Sequence, residues 1–293
     1  MKRVLLYCAL LLLNRCTVAG QERAGVGATD TGQKSRAQDG AFHSQSLGRE
    51  VRYRVLLPRN YEGGGRFAVL YLLHGWHGDY LNWDTRTGLE DYAQNLPMLI
   101  VMPDAADSWY TNSVAVRADK FEDYIAKDLI SEIDVRYHTI RDRHKRSIAG
   151  LSMGGYGAIK FALKYPDLFS FAGSLSGALN ATQSLGAERP EFRANLRGVF
   201  GGSQNRARTE NDVFRALNSS RSGDYPYFYL ACGTSDYFLP TNRAFVERLS
   251  SSKIAYEYHE TSGGHTWEYW DKAVQSLLRA AMTTMTDPDT QKK

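Results

Sequence analysis

Cysteine is nearly absent from this chain, and so is any excess of charge of one sign. There are 3 cysteines. Cys8 and Cys16 fall in the apolar N-terminal segment, which leaves Cys232 alone in the remainder. A lone cysteine excludes an intrachain disulfide, so the fold must be held by packing, which a chain of 293 residues can supply. Cys232 lies in an apolar run and reads as a small buried hydrophobe. The formal charge is only +4 and the basic residues are scattered, which argues against a nucleic-acid partner. The one basic cluster, Arg141 to Arg146, is broken by Asp142 and reads as a solvated loop. Internal repeats and low-complexity blocks are lacking.

Long hydrophobic runs are lacking too. The longest, Val4 to Leu13, is shorter than the ~20 residues a membrane-spanning helix needs. Met1-Lys2-Arg3 precedes it and the small residues Thr17-Val18-Ala19 follow it, the pattern of an export signal cleaved after Ala19 or Gly20. A secreted or periplasmic protein, with no transmembrane span once the signal is removed, is expected. Lipidation at Cys16 is the rival reading, but Arg15 stands where a lipobox needs a small residue. The chain then divides into a signal at 1–19, a flexible leader at 20–40, one domain at 41–285 and a polar tail at 286–293.

Within the domain, Phe42–Leu47 and Glu50–Leu57 read as a hairpin joined at Gly48-Arg49, the second strand alternating apolar and basic residues. Phe67–Leu73 and Leu99–Met102 are continuous apolar runs, as strands buried on both faces require, and Phe169–Leu175, Tyr227–Ala231 and Ile254–His259 read as further buried strands. Helical spacing recurs at Lys120–Tyr137, Thr241–Ser250 and Trp267–Thr284. Alternating strands and helices predict an α/β fold with a mainly parallel sheet, helices on both faces and the antiparallel hairpin at one edge. Residues 179–226 are polar and rich in Gly and Arg, and read as a cap-like insertion over the sheet.

The chemistry is concentrated at Gly150-Leu151-Ser152-Met153-Gly154. Arg146–Ala149 before it reads as a strand, and Gly155–Tyr165 after it as a helix stopped by Pro166. Strand, sharp turn and helix make a nucleophile elbow of the G-x-S-x-G kind, whose glycines are needed because a Cβ there would strike the turning backbone. A serine hydroxyl needs a base, and the base an orienting acid, each carried on a loop after a later strand. His265, in Ser262-Gly263-Gly264-His265-Thr266-Trp267, is the candidate base. Asp236, directly after the Tyr227–Ala231 strand, is the candidate acid. His259 reads as a core or rim residue, His138 and His144 precede the elbow, Asp104 comes too early and Asp224 precedes its strand. The oxyanion of an acyl-transfer intermediate needs two backbone N–H groups, here assigned to Met153 and to Trp76 in Leu73-His74-Gly75-Trp76-His77-Gly78. His74 and His77 lack the further ligands of a metal site, so no metal or cofactor is expected.

These segments resemble the esterase D family of α/β-hydrolases. The resemblance is carried by Tyr71-Leu72-Leu73-His74-Gly75, Asn82-Trp83, Ser108-Trp109-Tyr110-Thr111-Asn112, the elbow with Gly155-Tyr156-Gly157-Ala158, Cys232-Gly233-Thr234-Ser235-Asp236 and Gly264-His265-Thr266-Trp267-Glu268-Tyr269-Trp270. It covers roughly residues 41–278. It implies a Ser152–Asp236–His265 triad with the Trp76 and Met153 amides as oxyanion hole. His74, Gly75, Trp109, Tyr110 and Trp267 are candidate substrate-binding residues. The family acts on carboxylic esters, so a secreted serine carboxylesterase for short-chain or carbohydrate-linked acyl esters is expected. The His-Thr-Trp-Glu-Tyr-Trp segment looks more like mycolyltransferases and tributyrin-type esterases, whereas the His-Gly start of the oxyanion loop looks like the esterases. Acyl transfer to a sugar, or thioester hydrolysis of the S-formylglutathione type, are the alternatives. The oligomeric state is not legible.

Overall fold

The computed structural model describes residues 35–184, 189–219 and 225–286. The segment read as an export signal, its expected cleavage region, Cys8, Cys16, Asp224 and most of the stretch read as a polar tail lie outside the described residues. Eight strands form one sheet: β1 (Ala37–Ser44), β2 (Arg49–Leu56), β3 (Ala68–Leu73), β4 (Met98–Pro103), β5 (Arg146–Leu151), β6 (Phe171–Leu175), β7 (Tyr227–Gly233) and β8 (Tyr256–Thr261). Their spatial order is β1-β2-β4-β3-β5-β6-β7-β8. β1–β2 and β2–β4 pair antiparallel, and every pairing from β4 to β8 is parallel. This is the α/β-hydrolase fold, with the antiparallel hairpin at its edge.

The hairpin sits earlier than its apolar residues indicate. β1 begins at Ala37 and ends at Ser44, so part of the stretch read as leader is strand. Gln38, Asp39 and Gly40 pair with Val55, Arg54 and Tyr53. An outer strand needs one backbone partner rather than two buried faces, so its composition carries little signal. Gly48 turns the chain at φ 61°, and its amide bonds the Ser44 carbonyl at 2.8 Å. In β2, Val51, Tyr53 and Val55 point inward between exposed or half-buried arginines, as the alternation predicts.

β3, β4, β5 and β6 are buried at every residue, which is why β3 and β4 are unbroken apolar runs and the polar exceptions in β5 and β6 are few, Arg146, Ser147 and Ser174. β8 departs from the expectation of a buried strand: Tyr256 to Glu260 are only half-buried, because β8 closes the far edge of the sheet. On one face the helix Met153–Lys164 is buried along all but its last residue, beside Phe121, Tyr124, Ile125, Leu129 and Ile133. Those five lie on a helical stretch whose middle, Tyr124–Leu129, is π-helical. The other face is covered by Trp267–Thr286 through Val274, Leu277, Leu278 and Ala281. Cys232 is buried in β7, and its thiol is pushed up to about 12 by burial and then by the Asp236 charge, which leaves it inert at neutral pH.

Among its described residues the insertion contains three helices, Pro190–Phe200, Arg206–Glu210 and Val213–Ser219. It is tied to the domain by Val114 N–H to Val199 O and Ala115 N–H to Gly198 O, both at 3.0 Å, and by Tyr156 Oη to Asn211 O at 2.8 Å. The basic cluster is not a solvated loop throughout. Arg146 is buried at the start of β5 and pairs with Asp134 at 2.9 Å, while Lys145 donates to the Met285 carbonyl. Arg143 is half-buried, donating to the Pro166 carbonyl at 2.9 Å. These bonds tie the start of β5 to its neighbours.

One buried ion cluster crosses the first face. Lys160, 3% exposed, meets Glu122 at 2.8 Å; Lys164 meets the other Glu122 oxygen at 2.6 Å, and Tyr165 donates to it at 2.7 Å. Burial alone would raise the Glu122 carboxyl, but the Lys160 and Lys164 ammonium groups outweigh it and hold it below its ordinary value. A carboxyl depressed in the folded state contributes stability in full above the ordinary carboxylate range, lost as pH falls through the depressed value. Glu122→Gln is therefore expected to cost about 3–5 kcal/mol at neutral pH, because it strands a buried ammonium. Urea denaturation as a function of pH should show this loss and a shallower decline on acidification than in the wild type.

Candidate active site

Ser152 stands where β5 gives way to the helix Met153–Lys164, with φ 53° and ψ −114°. That conformation is strained for a residue with a Cβ and survives only where the surroundings fix it. They do so by contact. A Cβ on Gly154 would lie 2.5 Å from the Leu73 carbonyl oxygen and 2.6 Å from that of His74. A Cβ on Gly150 would lie 2.6 Å from the Gly154 backbone. The turn is thus pressed against the end of β3, and only glycine permits that approach. The Ser152 amide donates to Leu175 O at 2.9 Å, and its carbonyl accepts from Tyr156 and Ala178.

His265 lies on the loop after β8, and Asp236 on the turn after β7. The two loops are clasped by Ser235 N–H to Gly263 O and Thr234 N–H to Thr261 O, both at 2.9 Å. A Cβ on Gly233 would sit 2.3 Å from the Gly263 oxygen, so this clasp also needs glycine. His265 Nε2 is 3.0 Å from Ser152 Oγ, and its Nδ1 is 3.0 Å from Asp236 Oδ2. The second carboxylate oxygen accepts from the Phe238 amide at 2.8 Å. Burial pushes the Asp236 carboxyl up, but the bonds from His265 and the Phe238 amide outweigh it and hold it below its ordinary value. An ionised Asp236 only accepts, so Nδ1 carries the proton and Nε2 is the acceptor facing the serine hydroxyl. The imidazole is packed by Trp270 at 4.8 Å, edge to face, and by Tyr237 and Phe238 at 4.5 and 5.3 Å.

Met153 opens its helix, so its amide has no intrahelical acceptor. The Trp76 amide donates to no protein acceptor among the described residues. Its loop is fixed on both sides of it. Gly78 N–H bonds Gly75 O at 3.0 Å, and Asp107 takes the His77 amide at 2.6 Å and His77 Nδ1 at 2.9 Å. Gly75 itself abuts the elbow, since a Cβ there would lie 3.5 Å from Ser152 Cβ.

The other candidate binding residues are placed differently. His74 is buried, with Nδ1 donating to Gly75 O at 2.8 Å and Nε2 accepting from Ala105 at 3.0 Å. Both ring nitrogens are committed to backbone, so His74 has none left for substrate or metal, and burial lowers its pKa. Trp109 and Tyr110 are buried beneath the site: Trp109 Nε1 donates to Asn195 Oδ1 at 2.7 Å and Tyr110 Oη to His74 O at 2.8 Å. Trp267 is half-buried and packs edge to face on Trp83 and Trp270, against the core of the opposite face. His259 pairs with Glu257, His138 stacks on Tyr61 and His144 pairs with Asp142, so none of them approaches Ser152.

Four residues at the rim escaped the sequence reading. Phe192 and Asn195 come from the insertion, Phe192 packing edge to face on Trp76 at 4.9 Å and Asn195 Nδ2 donating to Asp107 O at 2.9 Å. Tyr237 and Phe238 follow Asp236 directly, and their adjacency to the acid is the one signal that could have found them. Tyr237 is 62% exposed.

A serine on a strained strand–helix turn, followed in chain order by an acid and a histidine after later parallel strands, defines an α/β-hydrolase. The profile of the family described as Putative esterase matches residues 44–280. The chain belongs to that esterase family. It is 28% identical over 252 residues to an acetyl esterase of Caldicellulosiruptor saccharolyticus, covering 81% of this chain and 94% of that protein. It is 34% identical over 256 residues to the esterase MT1326 of Mycobacterium tuberculosis, covering 77% of this chain but about half (55%) of that longer protein. The structure superposes on FphF, a fluorophosphonate-binding serine hydrolase of Staphylococcus aureus, with a TM-score of 0.78 at 26% identity, covering 85% of this chain and 99% of that one. Among the described residues no helix is long and apolar enough to cross a membrane.

The two contacts around the turn predict different outcomes for the same substitution. Gly154→Ala meets two backbone carbonyls that cannot move, and is expected to cost about 3 kcal/mol or more. Gly75→Ala meets only the tip of the Leu151 side chain at 2.6 Å and should cost about 1 kcal/mol. Thermal melts of the two variants check the ordering; equal losses would contradict the contact argument.

Proposed function

We propose that this esterase-family chain is a serine carboxylesterase working through an acyl-serine intermediate. The observation that carries the reading is the unbroken hydrogen-bonded line from Ser152 Oγ through His265 to Asp236. Ser152 attacks the ester carbonyl as His265 Nε2 takes its proton. Asp236 holds the imidazole in the Nδ1–H tautomer and stabilises the imidazolium that forms. The amides of Met153 and Trp76 receive the oxyanion, each worth about 3–4 kcal/mol in the transition state. His265 then protonates the leaving alcohol, and water, deprotonated by the same imidazole, releases the acid.

The substrates proposed are short-chain or carbohydrate-linked acyl esters. The likeness to an acetyl esterase supports a small acyl group. The aromatic rim of Trp76, Phe192 and Tyr237 offers flat faces to the alcohol portion. Export is part of the proposal and rests on residues 1–19; N-terminal sequencing of the protein recovered outside the cytoplasm should begin at Gly20 or Gln21.

Ser152→Ala should abolish turnover of p-nitrophenyl acetate and butyrate and labelling by a fluorophosphonate, with an unchanged melting temperature. Retained turnover would refute the serine assignment. Asp236→Asn keeps the side chain's shape but favours the wrong imidazole tautomer, so kcat should fall by about 10⁴. Products formed with added sugars should be free acid alone; acylated sugar in excess of acid would identify a transferase instead.

A further inference from the structure

The buried lysine of the elbow helix has contacts that run to the oxyanion loop. Lys160 donates to the Tyr110 carbonyl at 2.5 Å, to Thr111 Oγ1 at 3.0 Å and to Glu122 at 2.8 Å, which uses all three of its N–H bonds. Tyr110 and Trp109 are both held in the left-handed region, with φ 52° and 55°. A non-glycine backbone adopts that region only under constraint. Here the constraint is visible: Lys160 takes the Tyr110 carbonyl, Ser108 Oγ takes the Tyr110 amide at 3.1 Å, and Thr111 Oγ1 takes the Trp109 carbonyl at 2.8 Å. The ring of Tyr110 lies on Gly157, where a Cβ would come within 2.7 Å of it.

That strained loop aims one group. Tyr110 Oη donates to the His74 carbonyl at 2.8 Å, and the His74 ring in turn clamps its neighbours, donating to Gly75 O and accepting from Ala105 N–H. Trp76 follows Gly75, and its amide belongs to the same peptide group as the Gly75 carbonyl that the His74 ring holds. We propose that Lys160, Tyr110 and His74 are positioning residues, a buried relay that sets the Trp76 amide at the height where the oxyanion forms. Tyr110 and His74 are thus supports of the oxyanion hole rather than substrate contacts. The proposal rests on the serine esterase reading above. Its logic is that of preorganisation: a donor must already point at the developing charge, and a displacement of a fraction of an ångström is felt in the transition state and not in substrate binding.

Tyr110→Phe keeps the ring and its contact with Gly157 and removes only the hydroxyl. Kinetics on p-nitrophenyl butyrate should show kcat lowered about tenfold, within the up to 10³-fold lost when an oxyanion donor is removed outright, with KM changed less than twofold. Inhibition by an alkyl trifluoromethyl ketone, whose hemiketal oxygen mimics the oxyanion, should weaken by the same factor as kcat. A purely structural role would not make these two move together while KM stays. Lys160→Met combined with Glu122→Gln, which removes both buried charges at once, should give the same paired loss. Wild-type kcat and inhibition in Tyr110→Phe would overturn the relay, as would a loss confined to KM. If Ser152→Ala stayed active, the underlying esterase reading would fail instead, so the two failures are separable.

Discussion

The backbone of Ser152 is the constraint on which the rest of this molecule turns. Its φ of 53° has to be imposed, and the close approach of Gly150 and Gly154 to the end of β3 imposes it. That approach works only because the helix that follows is buried along nearly its whole length and cannot back away. One contact then fixes several things together. The Ser152 hydroxyl is lifted off the sheet, the Met153 amide is left at an open helix start, and β3 is held so that its following loop brings Trp76 alongside. The strain at one residue is offset by an apolar core, the usual source of rigidity at a reacting centre.

Much of this was legible in the sequence, and the reason is physical. Strands buried on two faces are largely apolar, so β3 and β4 announce themselves as unbroken runs and β6 nearly so, and the candidate site residues sit on the turns and loops that follow such strands. Ser152, Asp236 and His265 stand in order on such turns and loops, and the structure brings the three side chains within hydrogen-bonding distance. What was not legible depends on the third dimension. Aromatic residues near a candidate site read as substrate contacts, yet Trp109 and Tyr110 point into the core and Trp267 packs on the far face of the sheet. Arg146 and Lys160 look like surface charges because lysine and arginine seldom lie buried; each is buried here because an acid from another element, Asp134 or Glu122, meets it. Only the first half of β1, Ala37 to Ala41, was not legible, because an edge strand needs little apolar content.

The site therefore has two parts of different character. Beneath the serine lie groups whose every polar atom is matched: His74 by two backbone groups, Lys160 by three acceptors, Asp236 by an imidazole and an amide. Around the mouth lie side chains held mainly by ring contacts, Trp76 on Phe192 and Tyr237 on His265. Phe192 belongs to the insertion, joined to the domain by a few backbone bonds and by Asn195. The lower layer is held by hydrogen bonds, whereas the rim is held by ring packing and takes Phe192 from the insertion and Tyr237 from the turn that carries Asp236.

The half-buried outer strand β8 has a consequence for how the molecule meets copies of itself. A sheet edge offers a row of unpaired amides and carbonyls, an invitation to a strand from a neighbour. On β8 that row is flanked by Glu257, His259 and Glu260, the last engaged by Arg243 at 2.6 Å and by Tyr258 at 2.8 Å. A ninth strand added there would have to strip water from this ionic fringe, and the polar side chains that spoil the strand as core are what close the sheet at eight.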